Sequence, residues 1–82
     1  MIPVVLDTNI LMASLLKESG SNRAALAKVI DPGTPFTVFY SSQMADEYAK
    51  VLSRPPIVSR GLVDEAEALF RLIMDVGEQI VP

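Results

Sequence analysis

Cysteine and histidine are both absent from this chain of 82 residues. The absence of cysteine excludes disulfide bonds and thiolate metal sites. The absence of histidine excludes imidazole metal ligands and histidine-based acid–base catalysis. Any metal site in this chain must therefore use carboxylates and other oxygen ligands.

Long apolar segments and basic tracts are also lacking. No apolar run approaches the roughly 18 residues of a membrane span, and no basic segment precedes the first apolar run as in a signal peptide. We therefore expect a cytoplasmic protein that does not contact a membrane. The net charge is −3, and residues 61–82 hold one basic and five acidic residues. Electrostatics alone therefore gives no support for nucleic-acid binding.

Apolar residues, in contrast, are abundant. Half of the residues are hydrophobic, and the mean hydropathy is +0.36. Residues 1–82 are expected to form one small domain, and a chain of this length buries only a modest core. We therefore expect a further layer, supplied either by a second copy in a homo-oligomer or by chain not present here.

Apolar periodicity and turn residues predict three strands and four helices. The strands are predicted at 2–7, 35–41 and 78–81, and the helices at about 10–16, 21–30, 42–53 and 62–76. Ser41 or Ser42 is expected to cap the third helix, and Pro55-Pro56 to end it. The order β-α-α-β-α-α-β predicts an α/β fold with a parallel sheet, whose first strand is covered on both faces.

Three polar residues interrupt the apolar stretch VVLDTNIL at positions 4–11. Asp7 follows the first strand, at the carboxyl edge of the sheet, where open α/β sheets bind ligands. Asp7, Thr8 and Asn9 are all good helix caps, so capping alone is one explanation. Three such residues in a row exceed what one cap needs, and this favours a functional site.

The third predicted helix carries a second candidate carboxylate. Met44, Tyr48 and Val51 form its apolar stripe, and Glu47 lies on or beside that stripe by its spacing. A buried, unpaired carboxylate is costly, so we expect Glu47 to have a partner. An arginine or lysine would be the ordinary partner, but no basic residue is an obvious candidate.

A divalent metal ion is the alternative partner. The third helix begins at the same edge of the sheet as Asp7, and Glu47 lies about five residues into it, roughly 7–8 Å along its axis. Long helical side chains lean toward the helix N-terminus, which brings the Glu47 carboxylate back toward Asp7. Two converging carboxylates suit Mg²⁺, which usually keeps several waters and binds substrate phosphate.

At these residues the chain resembles a known family. The segments VVLDTNILMASLL, SNRAAL and FTVFYSSQMADEYAKVLSRPPI are similar to PIN-domain ribonucleases, and most similar to the toxin components of toxin–antitoxin pairs. The resemblance covers essentially the whole chain. It implies a three-layer, Rossmann-like α/β fold, of which this chain is the N-terminal portion.

The resemblance also implies an activity, a cofactor and partners. The activity is hydrolysis of RNA phosphodiester bonds by an endoribonuclease dependent on Mg²⁺ or Mn²⁺, and the partners are RNA and a cognate antitoxin. Asp7 and Glu47 match the metal-binding catalytic acids of the family. The residues that match its supporting positions are Thr8, Asn9, Ser41 and Ser42. Arg54 could contact RNA phosphate, although a helix-end cation contacting the last carbonyls is the simpler explanation.

The chain departs from the family pattern at its C-terminal end. The family has further acidic residues on a later helix and strand end, and neither Asp75 nor Glu78 matches them. We therefore expect weak metal binding and a truncated, even inactive, nuclease. The alternatives are a non-catalytic module that dimerises or binds an antitoxin and, less well supported, a phosphatase with an aspartate nucleophile. Asn9 stands where such a phosphatase needs a second aspartate.

Overall fold

The computed structural model describes residues 2–16, 21–31 and 33–80, and it has the predicted α/β architecture. Three parallel strands lie in the order β1-β2-β3. The elements in chain order are β1 (Ile2–Val4), α1 (Thr8–Leu16), α2 (Ser21–Ile30), β2 (Phe36–Tyr40), α3 (Ser42–Val51), α4 (Pro55–Ser59), α5 (Val63–Val76) and β3 (Glu78–Gln79). None of the described helices is long and apolar enough to cross a membrane.

The pairing of β1 with β2 positions the candidate site. Val4 pairs with Val38 in parallel register. Asp7 lies three residues after Val4, and Ser41 lies three residues after Val38. The two residues therefore leave the sheet at the same level of its carboxyl edge, where α1 and α3 begin.

The helix between α3 and α5 was not predicted. Pro55 and Pro56 end α3 as expected, but they also occupy the first positions of the short helix α4. Proline fits there because the first helical residues need no N–H donor and its fixed φ suits the helix. The observed order is therefore β-α-α-β-α-α-α-β, and α4 contributes the fully buried side chain of Ile57 to the core.

The first strand is more exposed than its apolar sequence predicts. Ile2 in β1 is 48% exposed, and Val5, directly after β1, is 62% exposed. Within the described residues β1 pairs only with β2, so it forms one edge of the sheet. Ile2 and Val5 lie on opposite faces of the strand predicted at 2–7, and both are exposed. The prediction that both faces of this strand are covered is therefore wrong for the structure described.

The core lies between the sheet and the helices. Its five largest fully buried side chains come from five different elements, so every packed layer contributes to it. They are Leu11 of α1, Val38 of β2, Tyr48 of α3, Ile57 of α4 and Ile73 of α5. Because Tyr48 is among them, α3 is anchored in the core by its buried face.

Candidate active site

Asp7 is the residue that precedes α1, and it caps that helix. Its Oδ1 accepts a hydrogen bond from the backbone N–H of Asn9 at 2.8 Å, and its carbonyl oxygen accepts one from the N–H of Ile10 at 3.1 Å. The capping explanation is therefore correct for Asp7. Capping uses only one carboxylate oxygen, and the side chain is exposed, so the second oxygen can bind another group.

Ser41 caps α3 at the neighbouring strand end. Its Oγ accepts a hydrogen bond from the backbone N–H of Met44 at 3.1 Å. Ser42 is the first residue of α3, and its exposed hydroxyl has no hydrogen bond within the described chain. Of the two serines that the sequence offered as the cap, Ser41 has that role.

Glu47 lies beside the apolar stripe of α3 and not beneath it. The stripe is buried at Tyr48 and Val51, whereas the Glu47 side chain is exposed. The expectation of a costly buried carboxylate is therefore wrong, because a solvated carboxylate needs no partner to stay ionised. The position of Glu47 along the helix still places it near the carboxyl edge of the sheet.

The Tyr48 hydroxyl connects the two acids. It donates a buried hydrogen bond of 2.7 Å to the backbone carbonyl of Leu6, the residue before Asp7. Burial raises the pKa of Tyr48 above its usual 10.0, and the negative charges of Asp7 and Glu47 raise it further. Because Leu6 adjoins Asp7 and Tyr48 adjoins Glu47, this hydrogen bond joins the two chain segments that carry the acids.

No basic residue that the structure describes neutralises Asp7 or Glu47. Neither Asp7 nor Glu47 forms an ion pair with lysine or arginine in the part of the chain that the structure describes. A guanidinium partner for Glu47, the ordinary explanation for such a carboxylate, is therefore not found. The same described residues contain no cluster of three or more acidic side chains that could hold a metal ion.

The remaining candidate residues make no side-chain hydrogen bond within the described residues. Thr8 is half-buried and Asn9 is exposed, and neither side chain makes a hydrogen bond within the described residues. Arg54 is exposed at the start of α4, and its side chain contacts none of the carbonyls that end α3. The simpler explanation of Arg54 as a helix-end cation is therefore not supported.

The sequence did not reveal the role of the Tyr48 hydroxyl. Spacing assigned Tyr48 to the apolar stripe, which is correct for its ring. A buried tyrosine usually has a hydrogen-bond partner for its O–H. The predicted burial of Tyr48 therefore indicated that an acceptor exists. The acceptor could not be identified before the packing of α3 against β1 and α1 was known.

The chain matches the model of a known protein family. The family model for the PIN domain matches residues 3–81. The chain belongs to the PIN-domain family. No curated protein and no solved structure gives a significant match. Membership in the PIN-domain family indicates a nuclease, and PIN domains generally use divalent metal ions.

Asp7 and Glu47 offer this PIN domain carboxylate oxygens of the kind that such an ion accepts. Both side chains are exposed, so water can reach them. Mg²⁺ is commonly held by one or two carboxylates, with the rest of its shell from water and substrate phosphate. Two carboxylates supply less negative charge than a larger acidic cluster provides.

Proposed function

We propose that this PIN domain is a metal-dependent endoribonuclease whose Asp7 and Glu47 bind Mg²⁺ or Mn²⁺. One observation carries the proposal: a buried hydrogen bond joins the residues next to the two acids, and neither acid has a basic partner in the described chain. Exposed carboxylates on two joined segments, without a counterion, suit a hard cation. Membership in the PIN-domain family supports the nuclease class.

The proposed reaction is hydrolysis of an RNA phosphodiester. A bound divalent ion would make water a better nucleophile and offset the negative charge of the phosphate. Asp7 and Glu47 would hold that ion at the carboxyl edge of the sheet, and the exposed position of both leaves room for the substrate. Water adds to phosphorus, and the P–O bond to one ribose breaks, which leaves one phosphate end and one hydroxyl end.

The residues at the starts of α1 and α3 have proposed supporting roles. Thr8 and Asn9 directly follow Asp7. Ser41 and Ser42 lie at the start of α3, the helix that carries Glu47. The exposed guanidinium of Arg54 would contact RNA phosphate outside the metal site. Phosphate contacts of this kind position a nucleic acid without reading its sequence.

A cleavage assay with matched variants tests the activity. Asp7→Asn removes the charge but keeps a good helix cap, and Glu47→Gln changes an exposed residue, so both variants should fold. We expect RNA cleavage with Mn²⁺ that stops on chelation and falls at least about tenfold in both variants, since even outer-shell changes cost this much. Asp46→Asn, one residue from Glu47 and also exposed, is the control and should cleave normally.

Two outcomes would remove this proposal. Equal cleavage by the unaltered chain and by Asp7→Asn would show that the activity comes from a contaminant or another site. Absence of cleavage by every variant would instead favour an inactive relative of the nuclease.

We further propose that the chain belongs to the toxin type of PIN domain and acts on RNA in the cytoplasm. The support is the similarity of its three quoted segments to toxin components. Induced expression should then arrest bacterial growth, and Asp7→Asn should relieve the arrest. Equal growth of the two strains would contradict the toxin assignment.

An interaction role is the second candidate, and a specific groove favours it. Helices α3, α4 and α5 border an open cavity of about 260 Å³ with a mainly apolar lining. Val58 and Val63 line it and are 58% and 43% exposed. We propose that this groove binds a second copy of the chain or an antitoxin peptide.

Sedimentation velocity tests the second-copy form of this proposal. We expect a dimer for the unaltered chain and a monomer for Val63→Lys, because a charge in the groove would have to be buried on association. Ile2→Lys is the control, because Ile2 is 48% exposed and does not line the groove. This variant should leave the dimer intact. A monomeric unaltered chain that also binds no antitoxin would contradict the interaction role.

A further inference from the structure

The residues that flank the two acids are joined by one buried hydrogen bond. Leu6 precedes Asp7, Tyr48 follows Glu47, and the Tyr48 hydroxyl donates to the Leu6 carbonyl oxygen at 2.7 Å. The two partners are 42 residues apart in the chain. No other side-chain hydrogen bond within the described residues links α3 to the segment that ends β1.

This bond holds a part of the chain that lies beyond the paired residues of β1. The ladder between β1 and β2 ends at Val4, so residues 5–7 lie outside it, between β1 and the start of α1 at Thr8. Leu6 is only 5% exposed, and Tyr48 is only 1% exposed, so the bond is shielded from water. A shielded bond has no water to replace it, and its loss would leave the Leu6 carbonyl unsatisfied.

We propose that Tyr48 is a positioning residue that fixes the separation of Asp7 and Glu47 for metal binding. The inference rests on the proposed function, and it adds a residue that contacts neither metal nor substrate. Two acids on different elements bind one ion well only if their spacing is maintained without the ion. Outer-shell partners of metal ligands typically contribute about 10–100-fold to affinity or activity.

Mn²⁺ titration of three variants tests the inference. Tyr48→Phe removes only the hydroxyl and keeps the buried ring, so the core stays filled. Tyr40→Phe is the matched control, because Tyr40 is also buried and its hydroxyl has no hydrogen bond within the described chain. Asp7→Asn tests whether the bound ion is at the proposed site. Affinity is measured by calorimetry well below the melting midpoint of every variant, so that only folded protein is compared.

The expected result is a loss of Mn²⁺ affinity of about tenfold or more in Tyr48→Phe, with no change in Tyr40→Phe. A purely structural role would lower the melting midpoint of Tyr48→Phe and leave the affinity of the folded protein unchanged. That result would overturn the inference while leaving the proposed function intact. Equal Mn²⁺ binding by Asp7→Asn and the unaltered chain would overturn the metal site itself, and the positioning role with it.

Discussion

At the scale of single residues, Tyr48 and Glu47 show what spacing alone can predict. Their helical positions correctly placed Tyr48 in the core, and they placed Glu47 on or beside the apolar stripe of α3. Spacing could not decide whether Glu47 is buried, because a residue beside an apolar stripe is covered only if a neighbouring element reaches it. In this chain none does, and Glu47 is exposed.

The raised pKa of Tyr48 makes stability depend on alkaline pH. Burial and the charges of Asp7 and Glu47 hold this pKa above 10.0 in the folded chain. Above about pH 10 the unfolded chain loses this proton while the folded chain keeps it, so stability falls as pH rises through the folded pKa. Urea unfolding from about pH 9 upward should show this decline, and Tyr48→Phe should reduce it. Parallel pH profiles for the two proteins would contradict this prediction.

Gly77 is required by a close approach and not by its backbone angles. A Cβ at this position would lie 2.7 Å from the carbonyl oxygen of Ile73 and 3.0 Å from the ring of Tyr40. Gly77→Ala should therefore cost about 1–3 kcal/mol of unfolding free energy, as overpacking usually does. At Gly33 the nearest atom would be 3.8 Å away. Gly33→Ala is thus the control and should change stability by no more than about 0.5 kcal/mol. Equal costs at both positions would contradict the role of this close contact.

At the scale of elements, capping and proline chemistry predicted most boundaries. The serine pair correctly located the start of α3, and Gly77 correctly located the end of α5. The helix α4 was missed because Pro55-Pro56 was interpreted only as the end of α3. Proline ends one helix and starts another by the same constraint, so the sequence alone left both outcomes open.

The cap of α3 gives a prediction at this scale. Ser41→Ala removes the acceptor for the Met44 N–H and should cost about 0.5–2 kcal/mol of unfolding free energy. Ser42→Ala should change it by no more than about 0.5 kcal/mol, because its exposed hydroxyl makes no hydrogen bond within the described chain. Urea unfolding of both variants measures the difference. A larger loss for Ser42→Ala would mean that α3 begins differently.

At the scale of the whole molecule, the sheet order brings the segments that carry the candidate acids to one edge of the sheet. Parallel pairing of β1 with β2 takes the starts of α1 and α3 to one edge, and the Tyr48–Leu6 bond fixes them there. The alternation of strands and helices predicted this edge correctly. It could not predict that Ile2 in β1 and Val5 directly after β1 are exposed, because the apolar sequence is equally consistent with a strand covered on both faces.

The most direct test of the shared site is anomalous diffraction from a crystal of the unaltered chain soaked in Mn²⁺. We expect one strong peak within about 2.0–2.6 Å of carboxylate oxygens from both Asp7 and Glu47, the range for hard divalent cations. A peak bound to neither acid, or carboxylates turned to opposite sides of the molecule, would contradict it.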